Sequence, residues 1–173
     1  MTAPTPPRTL EDLMTQALAM ERDAVDRYTE FADAMEVHNN AEVAALFRTM
    51  AGYERKHAEQ IMAQMGWTQP PPVPAGGFGW PDFEAPETVP VDEVHYLMRP
   101  WHALQLALLA EQRAEAFFAM LAKTATSAVV RRAAEEMQRE EAEHVALVRA
   151  WIEKVPEPDP SWATDPDPPR YDE

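Results

Sequence analysis

Proline placement divides this chain more sharply than any other feature of its sequence. All 17 prolines fall at positions 4–7, 70–100 and 156–169, so residues 8–69 and 101–155 contain none. Proline removes a backbone hydrogen bond and clashes with the preceding turn inside a helix. The two long proline-free regions are therefore where helices are expected.

Each proline-free region divides into two helices. The first divides near Asn39, which is followed by Glu42 and resembles a helix N-cap, and the second divides near Thr124 to Ser127. Apolar residues recur near helical spacing in both regions, which is typical of amphipathic helices. The predicted helices cover about 10–37, 40–65, 100–124 and 127–154. Four amphipathic helices need one shared core, so we expect an all-α four-helix bundle.

The remaining segments suggest how the bundle is connected. Residues 66–99 form a Pro-rich connection, which at roughly 3.3 Å per extended residue is long enough to cross the length of a bundle. Residues 155–173 carry six acids, one Arg and six prolines, which excludes a fifth helix. We therefore expect one bundle domain over 1–154 and an acidic Pro-rich tail, which Trp162 and Tyr171 could hold against a surface.

An internal repeat relates the two halves. Residues 19–28 resemble 109–118, and residues 50–57 match 137–144 at nearly the same offset. The chain is therefore interpreted as two related helical hairpins.

The repeat also contains a set of metal-ligand side chains. Glu and His three residues apart on a helix differ by about 300° and about 4.5 Å, so both project from one face. Each half has one Glu-x-x-His step and one further Glu about thirty residues upstream, at a similar depth in its hairpin. Four carboxylates would balance two divalent cations. The predicted ligands are Glu21, Glu54, His57, Glu111, Glu141 and His144.

The alternative is that these glutamates lie on solvated helix faces among the many other acids. This alternative does not suit Glu111, because Glu111 follows the nearly continuous apolar run 104–110. A carboxylate in that position is expected to point inward, where an unpaired charge is costly. Gly52, two residues before Glu54, is expected to allow close helix packing, with room near the metals as the alternative.

Composition excludes several classes of protein. The chain has no Cys, so a metal must be held by oxygen and nitrogen ligands, which suits iron, manganese or zinc. A formal net charge of −15 would repel phosphate backbones, so nucleic-acid binding is not expected. The sequence shows neither a signal core nor a membrane-length apolar run, so we expect a cytoplasmic protein without membrane association.

The six ligand positions, together with Tyr28 seven residues after Glu21, resemble the ferritin-like di-iron carboxylate superfamily and, within it, rubrerythrin-like proteins. The resemblance covers about residues 8–154. It implies that Glu54 and Glu141 bridge two iron ions, that Glu21 and Glu111 are terminal ligands, and that each His supplies one nitrogen. Tyr28 would stand beside the ligands and could hydrogen-bond a ligand carboxylate.

The resemblance implies a di-iron oxidoreductase that oxidises Fe(II) with O2 or reduces hydrogen peroxide. Two departures accompany it. Rubrerythrins carry a further glutamate three residues after the third-helix ligand, where this chain has Ala114. A rubredoxin module needs four cysteines and is absent, so peroxide turnover would require a separate electron-donor protein.

Other functions remain compatible with the same ligand set. They are iron sequestration without turnover, a di-iron hydroxylase, a manganese catalase and a metal-free interaction bundle. Trp67, Trp80 and Trp101 lie within or just after the connection and are expected to bury a homodimer interface or a lid. The other three histidines, together with the isolated Asp92-x-x-His95 pair, are not expected to hold a metal.

Overall fold

The computed structural model describes residues 6–81 and 84–168. Four long helices and one short 3-10 helix, with no strand, account for the regular structure of those residues, so the predicted all-α class is confirmed. The long helices are α1 (Leu10–Val37), α2 (Ala41–Met65), α3 (Pro100–Thr124) and α4 (Ala128–Ile152), and the 3-10 helix is Val91–Glu93. No helix in these ranges is long and apolar enough to cross a membrane.

Side-chain caps determine where the helices begin. Thr9 and Asp12 form a reciprocal capping box at the start of α1. The cap of α2 is Asn40, whose side chain accepts from the Val43 N–H, so the prediction of Asn39 as the cap is wrong by one residue. Asn39 instead takes a left-handed conformation, with φ of 57°, in the turn between α1 and α2. Asn tolerates this conformation better than most residues do, which suits it to the turn.

The helices form two antiparallel hairpins, α1 with α2 and α3 with α4. Their apolar side chains form two clusters, one at each end of the bundle. The upper cluster includes Phe31, Phe47, Met98, Leu104 and Val148. The lower cluster includes Leu13, Ile61, Phe117, Leu121 and Val130. Since α2 ends beside the lower cluster and α3 begins beside the upper one, residues 66–99 cross the bundle, which confirms the predicted crossover.

The crossover is anchored along its length. Trp80 packs on Phe117 of the lower cluster, with ring centroids 5.6 Å apart. Arg27 of α1 donates to the Val89 carbonyl at 2.6 Å and to Glu84 at 2.7 Å. Asn40 donates to the Met98 carbonyl at 2.7 Å, just before α3 begins. The connection is therefore attached to the helices at three levels.

Two tryptophans of the connection, Trp67 and Trp80, pack against the lower cluster of their own chain. The homodimer remains a prediction. In the tail, the Trp162 ring lies 3.9 Å from the His102 ring, and Tyr96 donates a hydrogen bond to Asp165. The tail is thus attached near the start of α3, and Tyr171, the other residue expected to attach it, lies outside the described residues.

Candidate metal centre

A layer of buried acids separates the upper and lower clusters. Glu21, Glu54, Glu111 and Glu141 are each 1% exposed, although carboxylates are rarely buried without a partner. Each comes from a different helix, and apolar residues of the two clusters lie on either side. The layer therefore requires compensating charge.

The first hairpin supplies one cluster of ligand atoms. Nδ1 of His57 lies 3.6 Å from Oε2 of Glu21 and 3.4 Å from Oε2 of Glu54. The helical step between Glu54 and His57 directs both side chains to the same place, and the antiparallel α1 brings Glu21 to that height. The three ligand atoms lie close enough to share one metal ion.

The second hairpin repeats this arrangement. Nδ1 of His144 lies 3.4 Å from Oε2 of Glu111 and 3.2 Å from Oε2 of Glu141. These atoms form a second group of the same composition and burial. The internal repeat seen in the sequence is therefore also a repeat of ligand geometry.

The two groups of ligand atoms meet at their imidazole rings. The His57 and His144 rings stack with centroids 4.2 Å apart and planes 3° from parallel. Their side chains are 19% and 21% exposed, so the histidines form the outer edge of the layer. The structure thus brings all six predicted ligand residues into one site.

Burial dominates the electrostatics of the acids. It raises the pKa of Glu21 and of Glu54 well above the usual value, and repulsion between the carboxylates raises both further. Burial likewise raises the pKa of Glu141 to about 7. Without a cation, Glu21 and Glu54 therefore favour the protonated form.

The two histidines respond in opposite directions. Burial, followed by repulsion from His144, lowers the pKa of His57 to about 4. Burial also opposes the charged form of His144, but interactions with Glu111 and Glu141 outweigh it and raise the pKa of His144 to about 10. One imidazole is thus neutral and the other charged in the metal-free protein, and a cation would replace the proton on His144.

Buried polar atoms without a hydrogen-bond partner indicate whether the site suits a pair of metal ions. Buried polar atoms in folded proteins nearly always have hydrogen-bond partners. Several ligand atoms of the layer have none. They are Oε2 of Glu21, Glu54 and Glu111, and Nδ1 of His57. Carboxylate oxygens and imidazole nitrogens facing one another in two groups suit iron, manganese or zinc, so the residues fit two such ions.

A further buried acid, Glu87, lies in this layer and is not among the ligands predicted from the sequence. It lies in the connection and is 1% exposed, and neither carboxylate oxygen has a hydrogen-bond partner. One of its oxygens forms a third possible ligand group with Glu54 and Glu111. Its only signal in the sequence is weak, an acid after Pro86 in a turn-forming pattern.

Tyr28 is placed beside the layer but lacks the expected hydrogen bond. Its side chain is 1% exposed and stacks on Phe47, and its hydroxyl has no hydrogen-bond partner among the described residues. Burial raises the pKa of Tyr28 well above the usual value, and repulsion from Glu111 adds to this effect. Its role in the chemistry remains a prediction.

Two further expectations concern residues around the site. A Cβ added at Gly52 would meet no atom within 4 Å, so the expected close packing there is wrong. His38, His95 and His102 belong to none of the groups of three potential ligands found in the described ranges.

A narrow crevice between α2 and α4 leads to the layer. It is lined by Tyr53, Leu147 and Trp151 and reaches both imidazoles. The Tyr53 and Trp151 rings are 5.7 Å apart. The crevice has room for about one water-sized molecule.

Comparison with known proteins places this geometry in a family. The rubrerythrin family model matches residues 12–72, which include most of α1 and all of α2. The crystal structure of an uncharacterized conserved protein from Magnetospirillum magnetotacticum MS-1 is 36% identical, with a TM-score of 0.63 over 87% of this chain and 98% of that chain. None of the curated proteins matches the chain.

A bacterioferritin from Rhodobacter capsulatus shares the fold. It is 19% identical, with a TM-score of 0.52 over 83% of each chain, and its structure holds a metal-free dinuclear site and heme iron. This likeness confirms the ferritin-like four-helix bundle. With the family match and the 36% identical relative, it shows that the chain belongs to the rubrerythrin-like proteins of the ferritin-like superfamily.

Proposed function

We propose that this protein is a di-iron oxidoreductase that oxidises Fe(II) with O2 or reduces hydrogen peroxide. One observation carries the proposal: two Glu-Glu-His groups of equal composition meet through parallel imidazoles inside a buried acidic layer. Family membership supports iron as the metal.

Each hairpin holds one iron ion in this proposal. Glu21, Glu54 and His57 bind the first, and the equivalent residues of the second hairpin bind the other. Glu54 and Glu141 would hold both ions, as the family resemblance implies. The apolar clusters above and below exclude bulk water and strengthen each charge interaction.

A bound Fe(II) pair would supply two electrons, enough with two protons to reduce one H2O2 to two waters. The crevice beside Tyr53 and Trp151 admits a small oxidant to the imidazole edge of the layer. Repeated peroxide reduction then requires a separate electron-donor protein to return the iron to Fe(II).

Stopped-flow absorbance after anaerobic loading with Fe(II) tests this function. We expect the loaded protein to be oxidised by O2 or H2O2 faster than free Fe(II), and Glu54→Ala and Glu141→Ala to abolish the difference. Glu59→Ala and Glu143→Ala are matched controls, because these exposed acids lie on the same two helices. The proposal fails if the loaded protein reacts no faster than free iron, or if the four variants behave alike.

The same preparation distinguishes the other functions. Retention of many more than two iron ions per chain would indicate storage. Oxygen evolution with bound manganese would indicate a catalase, and oxygen insertion into an apolar compound would indicate a hydroxylase. A protein that binds no metal would be an interaction bundle.

A further inference from the structure

The crossover carries a buried acid to the height of the metal layer. Ala85 belongs to the lower cluster and Val89 to the upper cluster, and Glu87 lies midway between them. It is as buried as the four helical glutamates, with 1% of its surface exposed.

A tight turn presents this acid. The Thr88 N–H donates to the Ala85 carbonyl at 3.0 Å, which closes a four-residue turn with Pro86 at its second position. Proline has the backbone torsion that this position requires. All residues from Ala85 to Val89 are buried, so the turn is inserted into the protein rather than left at its surface.

Among the described residues, no base balances the charge of Glu87. Neither of its carboxylate oxygens has a hydrogen-bond partner within those ranges. Arg27, the nearby base that anchors the crossover, is directed to Glu84 and to the Val89 carbonyl. The groups that interact with Glu87 most strongly are acidic, beginning with Glu54. A carboxylate buried among other carboxylates is heavily penalised unless a cation joins them.

We propose that Glu87 is a further ligand of the metal pair, supplied by the crossover instead of a helix. One of its oxygens lies within 4.8 Å of a ligand atom of Glu54 and of Glu111, one from each hairpin. Glu87 would therefore bind where the two half-sites meet. This inference rests on the proposed function, since it concerns the same two ions.

A fifth carboxylate would change the charge balance between the ligands and the two metal ions. Four carboxylates neutralise two divalent cations, whereas a fifth leaves one negative charge in excess. That charge is neutralised when one ion becomes trivalent, so Glu87 favours Fe(III) over Fe(II) at this site.

Anaerobic Fe(II) titration and thermal unfolding of the full chain test the assignment. For Glu87→Gln we expect at least one of the two ions to bind about tenfold more weakly or worse. We also expect the metal-free variant to melt at a higher temperature than wild type, because it loses an unbalanced buried acid. Glu93→Gln, which changes an exposed acid of the same connection, is the control and should leave metal affinity unchanged.

The outcomes separate this inference from the proposed function. Wild-type affinity for both ions in Glu87→Gln would overturn the ligand assignment while leaving the di-iron function intact. A wild-type chain that binds no iron would overturn both. Should Glu87→Gln not fold, Glu87→Asp decides instead: the retained charge on a shorter side chain should still weaken binding, and unchanged affinity would refute the assignment.

Discussion

Arg27 is the residue whose replacement best tests how the crossover is held. Its guanidinium is 15% exposed and donates to the Val89 carbonyl and the Glu84 carboxylate. It also lies over the Phe31 ring, 5.9 Å from the centroid. Methionine in its place would keep the packing of the stem but remove these interactions, together with the longer ion pair to the exposed Glu30 at 3.7 Å.

The magnitude follows from the burial of each partner. Val89 is 2% exposed, so its carbonyl would lose a charge-assisted hydrogen bond worth about 1.5–3 kcal/mol. The ion pair with Glu84, which is 39% exposed, adds at most about 1 kcal/mol. Contact with Phe31 adds about 0.5–1 kcal/mol. We therefore expect Arg27→Met to lower the free energy of unfolding by about 2–5 kcal/mol, or the melting temperature by roughly 10 °C.

Urea unfolding of the metal-free protein, followed by circular dichroism, measures this loss. Arg48→Met is the matched control, because Arg48 also pairs with two acceptors, Asp33 and Glu36, but on an exposed surface. Its replacement should leave the unfolding midpoint nearly unchanged. Equal effects of the two variants would refute the argument that burial of the anchor sets its strength. Arg27→Met should also weaken iron binding if the crossover supplies Glu87.

Three further predictions concern the core, the backbone and the metal layer. Phe47→Ala removes a fully buried ring that contacts Tyr28, and should cost about 3–5 kcal/mol of unfolding free energy in chemical denaturation. Gly66→Ala should destabilise by about 1 kcal/mol because Gly66 has a φ of 66°, whereas Gly52→Ala, with open space in α2, should stabilise by about 0.5–1 kcal/mol. Metal-induced thermal stabilisation should be larger near pH 8 than near pH 6. Since burial raises the pKa of Glu141 to about 7, an ion binding below that pH must first displace a proton, so an increment independent of pH would contradict this reasoning.

Helical periodicity explains why most of the architecture could be predicted. Proline gaps and apolar spacing predict four helices because both effects act between residues a few positions apart in the chain. The fold class and the crossover are confirmed on that basis. The N-cap of α2 was placed one residue too early because Asn39 and Asn40 are both acceptable caps, and only the turn geometry selects Asn40.

The convergence of the six predicted ligand residues could be expected for the same reason. A three-residue step fixes the relative direction of Glu and His on any helix, and the repeat sets both pairs at comparable depth. The spacing of seven residues places Tyr28 on the same helix face as Glu21. It does not determine whether the Tyr28 hydroxyl comes within hydrogen-bond distance of a ligand carboxylate, and in the structure it has no partner among the described residues. Helix periodicity specifies the direction in which a side chain points. The distance between two side chains on different helices depends on how those helices pack.

Glu87 shows where this reasoning ends. An acid that follows proline in a short turn normally lies at the surface, because turns expose backbone groups that need water. Here contacts remote in sequence bury the turn, including the bonds that Arg27 makes 57 and 62 residues away. No local pattern contains that information. The nearest indication is in α1, where Arg27 is buried and holds the crossover. Among the described residues, the Glu87 carboxylate that this anchor positions has no base of its own. An anchor that binds the backbone and a neighbouring acid, while leaving the central acid unpaired, is what a chain requires if that acid is to bind a cation.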